Sequence, residues 1–420
     1  MAGTHQHDPQ ARTRVLYVDA SVGFGGAVKS LALTLRGLKG VDKFVLTSQD
    51  PEIVSTWFSS LPVESFRTFI NYRTNERLRA RLTHPALQWI AMKGFAVADV
   101  AETVRNTIRL VSMLRRLKID LVHLNNGFLP LEVALAARWT GVPCVVHVRG
   151  FQTEPVTSRW VATVARVIAV SDAVAASLDG TRISRSSIVT IHDPVDVDLI
   201  EKSAGARDRI RSELGITERE IAVGIFGRVI PWKGQFEFAQ ALIPAMRSDP
   251  FIKAIIVGDE SDGARTYLES IRKYVEEAGM THRFILAGYH KNVEEYYAAM
   301  NIVVHASTSP EPFGMVVPEA MAARRPVIAA DDGGPREVVE DGVDGLLFPS
   351  GNTEALTEAV LRLARDPELR ESMAVAGHAK VLARLSIPTN AQSVSDVYKA
   401  VLSAKASATA SVAVSSLSAP

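Results

Sequence analysis

Ile221-Ala222-Val223-Gly224-Ile225-Phe226-Gly227-Arg228-Val229-Ile230-Pro231-Trp232-Lys233-Gly234 reads as a short apolar strand, a glycine, a loop with two cations, and a second glycine opening a helical pattern. An uncharged strand of this kind, followed directly by a helix, predicts a parallel sheet covered by helices. The same alternation extends outward in both directions. Upstream, β-rich runs fall at Arg14–Asp19, Lys43–Ser48, Asp120–Asn125, Cys144–Val148, Arg166–Ser171 and Ser187–Ile191. Helical patterns separate them at Gly26–Leu38, Val100–Leu117 and Leu131–Trp139. Downstream, runs follow at Lys253–Val257, Arg283–Leu286, Ile302–His305, Pro326–Ala329 and Gly345–Phe348, with helices at Gly263–Ala278 and Val293–Met300. Two such series predict an α/β chain of two doubly wound, Rossmann-like parallel-sheet domains.

Length and composition agree with this class. The chain has 420 residues, 47% of them hydrophobic, and a formal net charge of +1. It can bury large cores, and it shows no whole-surface charge of the kind that nucleic acid would need. The single cysteine, Cys144, excludes an intramolecular disulfide and reads as a packed core thiol. The polar first residues and the lack of any long uncharged apolar run predict neither a signal peptide nor a membrane span, hence a cytoplasmic protein. The expected organisation is a disordered tail over 1–13, a first domain over 14–195 and a second over 196–388. A helix follows over 389–404, and the Ala/Ser-rich stretch 405–420 reads as a disordered tail.

The chemistry concentrates in two stretches of the second half. In the loop already quoted, Gly227 allows close backbone approach and Gly234 opens a helix whose first amides favour anions. Arg228 and Lys233 are placed to neutralise a departing diphosphate without a metal. An ordinary surface turn with two solvated cations is the plainer account. The second stretch, Glu311-Pro312-Phe313-Gly314-Met315-Val316-Val317-Pro318-Glu319-Ala320-Met321-Ala322, sets two carboxylates eight positions apart around a Phe-Gly turn running into a helix. Glu319, in the first turn of that helix, suits a ribose diol, and Glu311, in the loop, suits hydroxyls of a transferred sugar. A dipole-favoured carboxylate would account for Glu319 but leaves Glu311, Phe313 and Gly314 without a role.

In the first half, Asp19-Ala20-Ser21-Val22-Gly23-Phe24-Gly25-Gly26 follows a strand and precedes a helix. Val28 stands where a dinucleotide fingerprint needs its third glycine, so Gly25 and Gly26 read as a phosphate-facing turn, or as a purely structural one. His147, near the end of its strand, suits a sugar hydroxyl, with Arg149 a weaker candidate for a phosphate or acceptor contact. Asp196-Val197-Asp198 has the spacing of a metal motif but reads as linker and helix start. Serine-hydrolase, zinc-protease and P-loop motifs are all missing, and no metal site is expected. Residues 66–118 carry eleven Lys/Arg against three Asp/Glu, interleaved with aromatic and aliphatic positions. That basic amphipathic surface suits an anionic lipid headgroup layer, or else is a solvated helix face with a core stripe.

These residues resemble the family 4 glycosyltransferases, retaining enzymes of the two-domain GT-B architecture. The likeness runs from about Arg14 to Ala400 and is strongest in Gly227-Arg228 with Lys233-Gly234, Gly288-Tyr289, His305-Ala306-Ser307, Glu311 to Ala322, Arg325-Pro326-Val327-Ile328 and Gly333-Gly334. The resemblance implies two domains facing a cleft, with Arg228 and Lys233 on the donor diphosphate and Glu311 on the donor sugar. It implies a lining formed by the backbone amides of Phe313, Gly314, Met315 and Val316, and a ribose contact at Glu319. Gly227 and Tyr289 join the donor-binding set. Gly25 and Gly26 match the N-terminal glycine turn, His147 the cleft histidine, and the helix 389–404 an element that crosses back to the first domain. The implied activity is metal-independent transfer, with retention, from a nucleoside-diphosphate sugar to a saccharide or lipid-linked acceptor, in polysaccharide or glycolipid assembly. A nucleotide-sugar epimerase or hydrolase and a non-catalytic nucleotide-sugar binding protein are the rival readings.

Overall fold

The computed structural model describes residues 12–21, 25–48, 50–59, 63–65, 85–128, 130–152, 164–259 and 265–417. Two parallel sheets organise them. The first contains β1 (Thr13–Asp19), β2 (Val41–Thr47), β3 (Val63–Ser65), β4 (Leu121–Asn125), β5 (Cys144–Val148), β6 (Arg166–Ala169) and β7 (Ile188–Thr190), in the order β3-β2-β1-β4-β5-β6-β7. The second contains β8 (Ile221–Phe226), β9 (Ile252–Val257), β10 (Phe284–Gly288), β11 (Ile302–His305), β12 (Val327–Ala330) and β13 (Gly345–Phe348), in the order β10-β9-β8-β11-β12-β13. Each sheet therefore builds outward from its first strand in one direction and then restarts on the other side. The reversals fall between β1 and β4 and between β8 and β11, and crevices at such points are where open α/β sheets receive ligands.

The contacts divide the chain into two compact units. One holds 1–169, 175–191 and 391–420; the other holds 170–174 and 192–390. In the first unit, β4 and β5 are buried at every position, as a sheet covered on both faces requires. Val28, Leu31 and Leu35 of the helix Gly26–Gly37 pack on Val15 and Tyr17 of β1. Ala391, Val394, Val397, Tyr398 and Val401 of the helix Ile387–Leu417 join the same core, at a three-to-four-residue spacing that keeps them on one helix face. Burying side chains of this size contributes about 1.5–3 kcal/mol each. The second unit is built around Val223, Ile225, Phe238, Leu242, Ile256, Val304 and Ile328, all at most 2% exposed.

Several expectations change against the structure. The helix Ile387–Leu417 runs through most of the stretch 405–420 expected to be disordered; alanine, as frequent there as serine, is the strongest helix former. The charged run after the presumed linker folds into the helices Val197–Ser203 and Arg207–Glu213. Arg211 there is 1% exposed and is held by the carbonyls of Ala299, Thr217 and Glu220 and by Asn301 Oδ1. Asp196 caps the first of these helices by accepting from the Leu199 amide at 3.3 Å, the helix-start role read for it. The helix expected from Val100 begins at Pro85, and the short strand β3 had no counterpart in the reading of the sequence. Cys144 is buried, and burial pushes its thiol up to about 12. Residues 1–11 of the expected tail, Val22–Phe24 of the glycine turn and 66–84 of the basic stretch lie outside the described residues.

Candidate active site

At the reversal of the second sheet, the loops leaving β8 and β11 are packed backbone to backbone. Gly234, at φ +74°, has no room for a side chain: a Cβ would sit 1.8 Å from the Ala306 carbonyl oxygen. The Thr308 amide donates to the Trp232 carbonyl at 2.9 Å. This approach brings Lys233 against Glu311, 78 positions away in sequence, with Nζ 2.5 Å from Oε1. The other carboxylate oxygen of Glu311 accepts from His305 Nε2 at 2.6 Å and from Ser307 Oγ at 2.8 Å. Burial would raise the Glu311 pKa. The His305 hydrogen bond, with the charges of His305 and Lys233, outweighs it and holds the carboxyl well below the usual carboxylate range. Lys233 also lies over the Trp232 ring, 4.4 Å from its centre.

The other donor-side candidates of the second half, Gly227, Arg228, Tyr289, Phe313 to Val316 and Glu319, lie in the same unit, whereas Gly25 and Gly26 lie in the first. Gly227 follows β8, and its amide donates to the Val257 carbonyl at 3.0 Å; Arg228 next in sequence is exposed, and its carbonyl accepts from Gln235 Nε2 at 2.9 Å. Glu319 lies in the helix Val316–Ala322, is 7% exposed, and accepts from Tyr297 Oη at 3.0 Å. Phe226 stacks on the Tyr297 ring with centroids 4.2 Å apart. Phe313 is buried and stacks on His192, and Gly314 packs under Pro335, while Met315 and Val316 are half-buried. Gly333 and Gly334 fit beneath this loop, with the Gly334 amide donating to the Glu311 carbonyl at 2.8 Å. Tyr289, after β10, is 70% exposed. His305, Ser307 and Tyr297 were not singled out as site residues. The first two stand in the quoted His-Ala-Ser stretch, whereas Tyr297 lies in an unremarkable helix and left no signal.

The reversal of the first sheet carries a second polar cluster. Asp19 ends β1 and Asn125 ends β4; Asn125 Nδ2 donates to Asp19 Oδ1 at 3.0 Å and to the Ala27 carbonyl at 3.3 Å. Arg149, just past β5, donates from Nε to Asn125 Oδ1 at 2.8 Å, and its Nη2 lies 3.1 Å from His147 Nδ1. Arg149 is 8% exposed, so the phosphate or acceptor contact considered for it gives way to these internal partners. Burial lowers its pKa to about 9, against the opposing pull of Asp19 and Tyr398. His147 is fully buried, and burial together with the charges of Arg149 and His123 depresses its basicity well below the ordinary histidine value. Gly25 accepts helix amides as N-cap at φ −160°, an extended backbone open to any residue; among the described residues, chain neighbours and the helix's own backbone aside, no atom lies within 4 Å of where a Cβ would stand at Gly25 or Gly26. Among the described residues no steric demand explains that glycine pair.

Comparison with known proteins gives the arrangement its context. The family profile described as Glycosyl transferases group 1 matches residues 206–380, and that described as Glycosyltransferase Family 4 matches residues 74–199. The chain is 32% identical over 296 residues to a GDP-mannose-dependent alpha-mannosyltransferase of Mycobacterium tuberculosis, covering 66% of this chain and 72% of that protein. It is 27% identical over 293 residues to an alpha-D-kanosaminyltransferase of Streptomyces kanamyceticus, covering 64% of this chain and 73% of that protein. Among solved structures, Anabaena Alr3699/HepE in complex with UDP superposes with a TM-score of 0.75 at 24% identity, covering 92% of this chain and 100% of that one. A glycosyltransferase from Rickettsia africae gives 0.76 at 18% identity, covering 93% and 99%. With a mannosyltransferase matched over most of its length and two parallel sheets superposing on glycosyltransferase structures, the chain belongs to the family 4 glycosyltransferases of GT-B architecture.

Proposed function

We propose that this glycosyltransferase moves a sugar from a nucleoside-diphosphate sugar to an acceptor hydroxyl with retention of the anomeric configuration. The observation that carries the reading is the largely sequestered Lys233–Glu311 pair at the reversal of the second sheet, with Arg228 exposed in the same loop as Lys233 and Glu319 in the same unit. A fixed lysine and an adjacent arginine suit the negative charge that grows on a departing diphosphate. Glu311, kept ionised by its three donors, suits hydroxyls of the transferred sugar, and Glu319 suits a ribose diol. The clamp consists of side chains, so the reading asks for no metal cofactor. With the diphosphate oxygen taking the acceptor proton, attack on the same face needs no side-chain nucleophile. The alpha-transferase names of the two relatives fit retention from alpha-linked donors. Polysaccharide or glycolipid assembly is the setting this chemistry suits.

The test is direct. Arg228→Ala with Lys233→Ala should lower transfer by at least about 100- to 1,000-fold, the range for removing one preorganised charge-stabilising donor, while the fold is retained. Near-normal rates in the folded variant refute the leaving-group role. A thermal-shift screen against UDP-, GDP- and ADP-sugars identifies the donor, and NMR of donor and product settles the configuration. Free sugar or an epimer from donor alone would favour a hydrolase or epimerase instead.

A second reading concerns where the enzyme works, and one surface favours it. On the helix Pro85–Arg116, Val100, Val104 and Ile108 recur every fourth residue and are 63%, 52% and 53% exposed. Exposed Arg105 and Arg109 run beside them. Exposed Trp139 shares with Ile108, Val111, Ser112, Arg115 and Arg116 a concavity of about 580 Å³. Among the described residues no helix is long and apolar enough to cross a membrane. An apolar row beside a basic row instead suits the interface of an anionic bilayer. Co-sedimentation with vesicles containing anionic phospholipid, lost with neutral vesicles or in high salt, is the expected result. Failure to sediment with either removes the reading.

A further inference from the structure

Within the first unit, the polar cluster at the sheet reversal is wired in only one direction. An arginine side chain donates and never accepts, and an ionised aspartate accepts and never donates. Asn125 lies between them, so its amide orientation is fixed by its partners: Oδ1 toward Arg149 Nε and Nδ2 toward Asp19 Oδ1. The same logic extends to His147. Its Nδ1 faces Arg149 Nη2 at 3.1 Å and must be an acceptor there, so the imidazole proton resides on Nε2. Protonating Nδ1 would set two donors against each other, with the Arg149 charge adjacent. Among the described residues Nε2 is itself buried and finds no hydrogen-bond partner. A buried N–H left unpaired in this way is costly, and the described residues supply no acceptor for it.

We infer that Arg149 is a positioning residue, anchored through Asn125 to Asp19, which locks His147 as a neutral imidazole presenting Nε2–H to a ligand oxygen. His147 then acts as a hydrogen-bond donor and takes no proton during turnover. The anchor reaches the glycine turn as well, because the Asn125 amide also holds the Ala27 carbonyl in the first turn of the helix that Gly25 caps. Backbone turn and imidazole are thus set by one amide. The functional half of this inference rests on the sugar-transfer reading above. The tautomer does not.

The experiment separates the two. Long-range proton–nitrogen correlation on protein labelled with 15N in histidine, with the His147 signal assigned by its loss in His147→Gln, reports the tautomer directly. The expected result is the Nε2–H pattern, unchanged from pH 5.5 to 8.5. In Arg149→Met the signal should become a tautomer mixture, and Arg149→Lys, which retains a donor, should restore part of the original pattern. Asp19→Asn with Arg149→Met removes both charges together and serves if the single variant does not fold. With UDP-glucose or GDP-mannose, whichever the enzyme turns over, Arg149→Met should lower kcat by about 10- to 100-fold, the range known for partners that orient metal-bound histidines. An Nδ1–H pattern in the native protein, or a His147 that titrates like a free histidine, overturns the tautomer assignment. A folded Arg149→Met enzyme with the native pattern and native kcat overturns the positioning role.

Discussion

Replacing Glu311 by alanine should be among the most damaging single changes in the second unit. Its carboxylate is the counter-charge to Lys233 at 2.5 Å, and it accepts from His305 and Ser307 as well. Both side chains of the ion pair are largely sequestered, at 15% and 12% exposure, so solvent cannot take over the missing partner's role. Removing one member of such a pair strands the other, at a cost of about 3–5 kcal/mol. In a unit of roughly 200 residues, each kcal/mol moves the midpoint by about 2–4 °C, so the variant should melt about 6–20 °C lower. Lys233→Met combined with Glu311→Gln removes both charges and should regain most of that loss, giving a coupling of about 0.5–3 kcal/mol in a double-mutant cycle. The pH dependence has a definite sign. The folded pKa of Glu311 lies below the ordinary carboxylate value of about 4.5, so its contribution is fully present above that pH and fades as pH falls toward the folded value. Melting curves from pH 7 to pH 3 should therefore decline less steeply for Glu311→Gln than for the native chain. A shift below about 2 °C for Glu311→Ala, or parallel pH curves for the two proteins, would refute the buried-pair argument.

Four further outcomes follow from the geometry. Gly25→Ala should cost only the roughly 0.5–1 kcal/mol of a poorer N-cap residue, since no described residue meets the new methyl group, yet impair transfer. Gly234→Ala should instead destabilise by more than the roughly 1–2 kcal/mol of a left-handed alanine, because its Cβ also meets the Ala306 carbonyl; thermal scanning of both variants checks the contrast. Tyr297→Phe removes a hydrogen bond to the Glu319 carboxylate and should raise the donor KM more than it lowers kcat, as initial-rate kinetics would show. Tyr398→Ala should open a core cavity and strip His123 Nδ1 of its 2.6 Å partner, costing about 3–5 kcal/mol in chemical denaturation.

The alternation of strand and helix was legible because each parallel strand is a short, nearly uncharged run ended by glycine or a polar residue. Ile221–Phe226, Cys144–Val148 and Gly345–Phe348 have the bounds read from the sequence. The donor-side candidates were legible one at a time for the same local reason. Their arrangement was not. Lys233 and Glu311 meet because β8 and β11 are neighbours in the sheet, a long-range fact that no window of sequence contains. Nor does sequence show that His305 and Ser307 both donate to Glu311, since that depends on how the loop after β11 turns back. Composition misled at the C-terminus, where low charge and abundant serine masked a helix anchored by Val394, Val397 and Tyr398 in the first core.

What the two sheet reversals share is the way their polar groups are constrained. At the second, Glu311 faces Lys233, His305 and Ser307, so its two oxygens have their orientation fixed before any ligand arrives. At the first, Asn125 lies between a side chain that only accepts and one that only donates, and the histidine beyond inherits a single tautomer. Networks that mix several hydroxyls or neutral amides can flip, because each member can donate or accept. These have no second arrangement of comparable energy while Asp19, Arg149, Lys233 and Glu311 keep their charges. The cost of orienting the groups is therefore met in folding rather than in substrate binding, which is the condition under which fixed dipoles and charges lower a barrier most. Among the described residues the Nε2 of His147, like that of His123 whose ring lies 5.6 Å away, is buried without a partner. A donor that must wait for a ligand oxygen is held in place by neighbours that cannot turn toward it.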